Sequence, residues 1–518
     1  MSALRAGGPA ATTPTGPAGH GRSSTRGLEA TASSPLMQGR FGRMFRNLPV
    51  FSPPDDRTAR TELRRLAERI VQPSEDDKPL DAVDEDQNPA IPAGYTYFGQ
   101  FVDHDITFDP VSTLQRQNDP DGLVDFRTPR FDLDNLYGRG PAEQPYLYDP
   151  VDQAKLALGR PVAQGDGAHD LPRFGDRALI GDPRNDENLI VSQLQQVFLR
   201  FHNAVVDDVR ARGFTGDDVF KEAQRVVRWH YQWIVVNDFL RGHVVGPEIV
   251  DDILRPDPYA VDVLRGSRFT RQAVPILRPH LRFYEWANEP YMPVEFSVAA
   301  YRFGHSMVRP RYFINDFLRR ATGDRRFPIF SGNTRPDNLE NLNGFRPLPD
   351  DWGFQWKYFF DGLTRERFLP QPSYRIDDEL SFPLGRLNDP PPLPRLVSLA
   401  ERNLLRGLRL GLPSGQTVAR AMGIPLLSAR ELDLDDVAPS FADHAPLWYY
   451  VLRESKLRCD GRRLGPVGGR IVAEVLIGLL CGDPLSYLRV APGWTPELPS
   501  ARRGRFTMPD LIRFAGAA

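Results

Sequence analysis

Four short stretches carry residue types that could do chemistry together. The first is Gly99-Gln100-Phe101-Val102-Asp103-His104-Asp105. On a helix, Gln100, Asp103 and His104 stand at i, i+3 and i+4 and share one face. An amide, a carboxylate and an imidazole then meet in one space, and an imidazole near its ordinary pKa shuttles a proton at neutral pH. The flanking aromatics Tyr95, Tyr97, Phe98, Phe101 and Phe108 imply burial. The second stretch is Arg184-Asn185-Asp186-Glu187, after Gly181-Asp182-Pro183. Arg184 and Glu187 are three apart, and an arginine keeps its charge and can polarise an oxygen. The third is Tyr301-Arg302-Phe303-Gly304-His305-Ser306. Here Arg302 and His305 share a helix face, and Gly304 lets another group approach the backbone. The fourth is Thr128-Pro129-Arg130-Phe131-Asp132-Leu133-Asp134, with oxygens at alternate positions that suit a hard cation. It lacks the glycine and the final glutamate of an EF-hand. Taken singly, each has a plain reading: an acidic turn with a structural histidine, a surface ion pair, a core histidine, an acidic loop.

Such groups need elements to hold them. Residues 58–71 read as an amphipathic helix, and the acidic, proline-containing residues 73–92 as a loop. From Ile190, apolar residues recur at Leu194, Val197, Phe198, Phe201 and Val205, which is helical spacing, and Gly213 ends the run. A second helix follows through Val219, Ala223, Val226, Val227 and Ile234, with Thr215, Asp217 and Asp218 as capping candidates. Strand-like alternation is scarce, and the proline-rich stretches 255–295 and 323–395 read as irregular connections. The expectation is an all-α class: a mainly helical domain with long loops over residues 46–518, its motif-bearing core at about 90–490. Residues 1–45 are expected to be a disordered tail, because the first 38 or so are dominated by Gly, Ala, Ser, Thr and Pro.

Composition excludes several classes. Of 518 residues, 41% are apolar and 25% charged, which is ordinary for a globular chain. The net charge is −2, from 65 basic and 67 acidic residues, so the chain as a whole offers nucleic acid no electrostatic case. Two cysteines, Cys459 and Cys481, do not make a disulfide scaffold, and their redox state stays open. No apolar run is long enough for a transmembrane helix. No secretory or twin-arginine signal is visible, which leaves a cytoplasmic location or a non-classical route of secretion. The oligomeric state is open.

Together the stretches resemble one family, the animal-type haem peroxidases of the peroxidasin–cyclooxygenase superfamily, in the manner of a bacterial member akin to myeloperoxidase. The resemblance is carried by GQFVDHD at 99–105, TPRFDLDNLYG at 128–138, GDPRNDEN at 181–188, LRFHN at 199–203, YRFGHSMVRP at 301–310 and RNLLRGLRLGLPSG at 402–415. Six pieces in the family's order are far more specific than any one alone. The resemblance implies that His104 is the distal histidine, Arg184 the distal arginine, and Gln100 the distal glutamine that orders water and halide. It implies that His305 is the axial ligand of haem iron. Asn403 falls where the family accepts a hydrogen bond from that imidazole. Arg302 and Arg406 fall near the haem, Arg406 at a propionate. Asp103 and Glu187 match the carboxylates that esterify haem methyl groups in mammalian members. Asn188 stands where myeloperoxidase has its sulfonium-forming methionine, so that third link is not implied. Asp105, Thr128, the Arg130 carbonyl, Asp132 and Asp134 match a calcium site, with Asp134 in place of a serine common in mammalian members.

The implied cofactors are therefore haem b, with possible covalent links through Asp103 and Glu187, and Ca2+. The implied function is a haem peroxidase that cleaves hydrogen peroxide heterolytically and oxidises halide, thiocyanate or small organic donors such as phenols. Three alternatives stand beside it. A fatty-acid dioxygenase of the same superfamily would want a tyrosine three residues before the proximal histidine, where Arg302 stands and Tyr301 is one residue off. A non-catalytic adhesion-type relative would not need His104, Arg184 and His305. A metal phosphohydrolase built on His104-Asp105 would need further His and Asp ligands, whereas His202 and His230 lie in helical runs and read as packing residues.

Overall fold

The structure is a computed structural model. It describes residues 39–51, 55–73, 84, 86–107, 124–125, 129–255, 261–262, 274–275, 279–285, 290–330, 340–365, 368–385, 387 and 398–518. Helices dominate and strands are short. The elements that matter for the site are β1 (Gly39–Gly42), α1 (Asp56–Ile70), β2 (Gln87–Pro92), α2 (Gly94–Ile106) and β3 (Val124–Asp125). They continue with α3 (Leu189–Ala211), α4 (Asp217–Trp233), β4 (Met292–Pro293), β5 (Pro372–Tyr374), α5 (Leu399–Arg409), α6 (Leu447–Cys459) and α7 (Pro466–Gly482).

The two expected long helices are α3 and α4. Asn188 caps α3 by accepting from the Val191 N–H at 2.9 Å. Gly213, at φ +96°, makes the turn between them, a backbone angle that favours glycine. The apolar stripe of α3 is fully buried, and Phe198 stacks on Phe101 of α2 with ring centroids 4.4 Å apart. Helix α4 runs on into a π-helical stretch, Ile234–Val244. Helix α7 is buried on nearly every side, which follows from its almost uninterrupted apolar sequence. Helix α1 starts two residues earlier than the expected 58, because Asp55 caps it by accepting from the Thr58 N–H at 2.8 Å; Leu63, Leu66 and Ile70 are buried.

Two expectations about the N-terminal region are corrected. Residues 73–92 are not a loop throughout, because β2 pairs antiparallel with β5. Residues 39–45 do not belong to a disordered tail. Strand β1 pairs with β3 and, in parallel, with β4, and Phe41, Met44 and Phe45 are buried. The buried Glu295 carboxylate accepts the N–H groups of Met44 (2.9 Å) and Phe45 (3.2 Å), while Arg43 donates to the carbonyls of Leu410 and Gly411. Three apolar anchors within a glycine- and arginine-rich context carry the ordering, and composition averaged over the segment hides them. The expected tail over 1–38 lies outside the described residues, as does Thr128.

Candidate active site

Helix α2 places Gln100, Asp103 and His104 as the spacing requires. His104 is buried, and its Nδ1 lies 2.7 Å from Asn185 Oδ1. Asn185 is itself oriented: its Nδ2 donates to Gln195 Oε1 at 2.8 Å, and Gln195 donates to the Asn135 carbonyl. With the amide nitrogen so committed, Oδ1 faces the ring, and His104 carries its proton on Nδ1 and a lone pair on Nε2. Burial and the neighbouring Arg184 charge hold the His104 pKa below its ordinary value, against smaller opposing effects of Glu187, Asp182 and Asp103. The ring is a neutral base.

Arg184 sits beside it in the 3-10 turn Pro183–Asp186. Its Nε and Nη2 bind the fully buried Asp182, and Nη2 also donates to the carbonyls of His104 (3.0 Å) and Thr107 (2.6 Å). The arginine therefore fixes the last turn of α2 as well as charging the site. Gln100 is clamped at both ends of its amide, donating to Glu187 and accepting from Asn188 Nδ2 at 3.2 Å. Asp103 binds Arg302 Nη1 at 3.2 Å and accepts from the Thr107 hydroxyl at 3.0 Å. Burial would raise its pKa, but the Arg302 and Arg184 charges and the Thr107 hydrogen bond outweigh this and hold it ionised.

Across from α2, a π-turn (Glu295–Ala299) leads into a 3-10 turn, Ala300–His305. The expected sharing of a face by Arg302 and His305 holds, since a 3-10 helix brings i and i+3 into line. Arg302 reaches back to Asp103, so the two histidine-bearing segments are tied by one ion pair. The Asn403 amide of α5 meets His305 Nδ1 at 2.8 Å. As placed, its Nδ2 faces the ring; turning the amide over presents Oδ1 to an Nδ1–H, which is the arrangement an iron-ligating Nε2 requires. Arg406, three residues on, lies on the same face of α5 as Asn403.

The donor set fits a haem. Both imidazoles are engaged at Nδ1. A Cβ built on Gly304, beside His305, would meet nothing within 4 Å. Imidazole is a common haem-iron ligand, and Arg302 and Arg406 are cationic groups that could face the carboxylates of such a group. The calcium-type residues converge as well. Oxygens of Asp105, Asp132 and Asp134 lie within 4.8 Å of one another, the one such group of metal-ligating side chains among the described residues. Arg130 of the same loop pairs with Asp483 at 4.0 Å. Among the described residues that group contains no histidine, so it does not include the His104 ligand that the phosphohydrolase reading needs. His202 bonds Tyr137 and the Ala154 carbonyl, and His230 bonds the Val226 carbonyl and the Leu498 N–H. Burial depresses both pKa values to about 4, so both histidines pack as neutral groups. Cys459 and Cys481 are free thiols.

Sequence reasoning assigned no role to Asn185, Gln195 or Asp182. Asn185 and Asp182 were in view, flanking Arg184, but nothing in their spacing says which side chain each will meet.

A helical domain that sets a neutral histidine beside an arginine, opposite a second histidine backed by an amide, has the build of a haem protein. Residues 114–352 match the animal haem peroxidase family, a span that contains Arg184, Glu187, Arg302 and His305 but not His104. Chorion peroxidase of Drosophila melanogaster is 26% identical over 315 residues, covering 59% of this chain and 34% of that protein. Human thyroid peroxidase is 24% identical over 427 residues, 74% of this chain and 40% of that protein. The chain thus spans about a third to two fifths of the length of these relatives. In structure it is similar to peroxidase A of Dictyostelium discoideum (TM-score 0.56, 15% identity, 92% of each chain). It is also similar to a fatty acid alpha-dioxygenase of Arabidopsis thaliana (TM-score 0.54, 15% identity, 91% of this chain and 74% of that one). Over residues 114–352 the chain is similar to the animal haem peroxidases, and its fold is mainly α, like that of the Dictyostelium peroxidase.

Proposed function

We propose that this protein is a haem-dependent peroxidase that cleaves hydrogen peroxide heterolytically and oxidises halide, thiocyanate or small phenolic donors. The observation that carries the reading is the His104 tautomer set by Asn185: a buried neutral ring with Nε2 as acceptor, beside a permanently charged arginine. Haem, held by His305 and charged through Arg302 and Arg406, would supply the redox-active iron to which peroxide binds. His104 Nε2 takes the proton from the bound peroxide oxygen and returns it to the leaving oxygen. The Arg184 charge stabilises the negative charge that develops there, and Asn185 keeps the ring from turning. Asn403 orients His305, and the Asp103–Arg302 pair keeps the two faces in register. Asp103, held ionised, and Glu187 would be the carboxylates that form ester links to haem methyl groups. Asp105, Asp132 and Asp134 would hold a Ca2+ ion, which would brace the C-terminal end of α2.

Tyr301 favours the peroxidase over a dioxygenase. Its hydroxyl donates to the Gly99 carbonyl at 3.2 Å and its ring stacks on Phe296, so it is spent on structure. The test is peroxide-dependent oxidation of iodide by haem-loaded protein. General acid–base help is worth about 10²–10⁴-fold, so His104→Leu should lose that much turnover while retaining haem. Equal turnover in the variant would refute the assignment.

A further inference from the structure

A surface cleft of about 450 Å³ opens against the segment that follows the proximal turn, within the size range of small-molecule sites. Its lining includes Gln164, Asp316, Phe317 and Arg320. Phe317 is 42% exposed, so an aromatic ring faces solvent there. Asp316 and Arg320 are the charged residues of the lining, and they cancel.

Beneath the cleft lies Tyr358, buried, whose hydroxyl donates to Asp316 Oδ1 at 2.7 Å. Lys357 holds the other oxygen of that carboxylate. The next residue, Phe359, stacks on Tyr312 with centroids 6.0 Å apart. Tyr312 in turn meets Tyr97 edge-on at 5.7 Å. Tyr97 is on α2, three residues before Gln100 and seven before His104, hence on the face that carries the site. The rings of Phe359, Tyr312 and Tyr97 thus lead to the distal helix, and Tyr358 at the cleft joins them through the peptide bond to Phe359.

The hydroxyls of Tyr358 and Tyr312 are hydrogen-bonded, to Asp316 and from the Arg309 N–H, but packing does not account for tyrosine at position 97. Phenylalanine fills the same volume without burying a hydroxyl, which costs free energy unless it is bonded. Tyr97 is 2% exposed, and its hydroxyl has no hydrogen-bond partner within 3.5 Å, although it faces that of Tyr312. The property that tyrosine adds to phenylalanine here is that it can be oxidised.

We propose that the cleft is a second donor site, for neutral phenols and hydroquinones, and that Tyr358, Tyr312 and Tyr97 carry electrons from it to the haem site. The proposal rests on the peroxidase reading above, and its oxidant is hydrogen peroxide. Tyr358 loses one electron inward and its phenolic proton to the Asp316 carboxylate. The bound phenol then gives one electron to Tyr358 and releases its own proton to water, while Asp316 returns the stored proton to Tyr358. Two such passages supply the two electrons that one hydrogen peroxide takes up, with two protons, to form two waters. Each donor leaves as a one-electron-oxidised radical. Phe317 offers a ring to stack on, Gln164 and Asp316 offer polar atoms to the donor hydroxyl, and the balanced charge disfavours anions.

The test uses haem-loaded full chain treated with hydrogen peroxide in the presence of a nitroso spin trap, followed by peptide mass spectrometry. Trap adducts are expected on the peptides of Tyr358 and Tyr312, and excess hydroquinone should abolish them. In Tyr358→Phe the adduct should move to Tyr312 or Tyr97, and the ratio of hydroquinone to iodide oxidation rates should fall at least tenfold. Ala321→Trp, which fills the cleft from its surface, should lower the same ratio and leave the adducts in place when hydroquinone is added. Adducts on none of the three tyrosines, or an unchanged ratio in both variants, would overturn the relay while the Soret band still responds to peroxide. A Soret band that does not respond removes the peroxidase reading and the relay with it.

Discussion

His104 owes its chemistry to one neighbour that spacing could not name. Asn185 fixes the Nδ1–H tautomer, and burial with the Arg184 charge lowers the ring's pKa. In the proposed mechanism the neutral ring is the working base, so turnover should be complete at neutral pH. It should fall as pH drops through a value below the ordinary 6.5, where the ring becomes protonated. Arg184→Gln removes one of the two causes that depress this pKa. Its pH–rate profile should show the acid limb moved to higher pH, beyond any loss in rate. An acid limb that stays in place would separate Arg184 from the titration of His104. The sequence showed the imidazole, the arginine and the carboxylates. It hid Asp182, which takes up two of the guanidinium nitrogens, because that partnership depends on how the 3-10 turn folds back.

The elements that hold the site have their own titratable joints. Helix α7 begins at Pro466, and the buried carboxylate of Glu454 on α6 accepts the N–H groups of Val467 and Gly468 there. Burial raises its pKa to about 7, against the pull of those N–H groups. The folded state therefore holds a proton that the unfolded chain releases near the ordinary 4.5, and stability from this group falls as pH rises from there through 7. The loss should be on the order of 1–3 kcal/mol. Glu454→Gln, which keeps an oxygen acceptor without the charge, should flatten that slope in urea midpoints measured from pH 5 to 8. A variant with the wild-type slope would clear Glu454 of the effect. The acidic loop of Asp132 and Asp134 gives a second joint, next to Asp105 at the end of α2. Three carboxylates this close favour an oxygen-liganded cation. Calcium at 100 times its Kd would add about 2.7 kcal/mol. Chelation should then lower the Tm by several degrees, with calcium restoring it. In Asp132→Ala, neither treatment should move the Tm.

At the scale of the whole molecule, what the sequence disclosed followed from periodicity and what it concealed followed from distance along the chain. Helices α3 and α4 were legible because their apolar stripes repeat at 3.6 residues over many turns. The proximal turn was legible only as a motif, since a π-turn joined to a 3-10 turn has no such stripe. The segment 39–45 was misread as tail, because its ordering comes from Glu295 and from the carbonyls of Leu410 and Gly411, more than 240 residues away. That segment straps the proximal side, since β1 pairs with β4 just before the turn that carries His305. The file from Tyr358 to Tyr97 was invisible for the same reason: its members come from separate parts of the chain. In the proposed function, what joins these parts is a prosthetic group set between His104 and His305. The most direct measurement is the visible absorption spectrum of haem-supplied protein before and after one equivalent of hydrogen peroxide. A high-spin ferric Soret band that converts on adding peroxide and is reset by a donor is the predicted result. Folded, haem-supplied protein with no Soret band would contradict it.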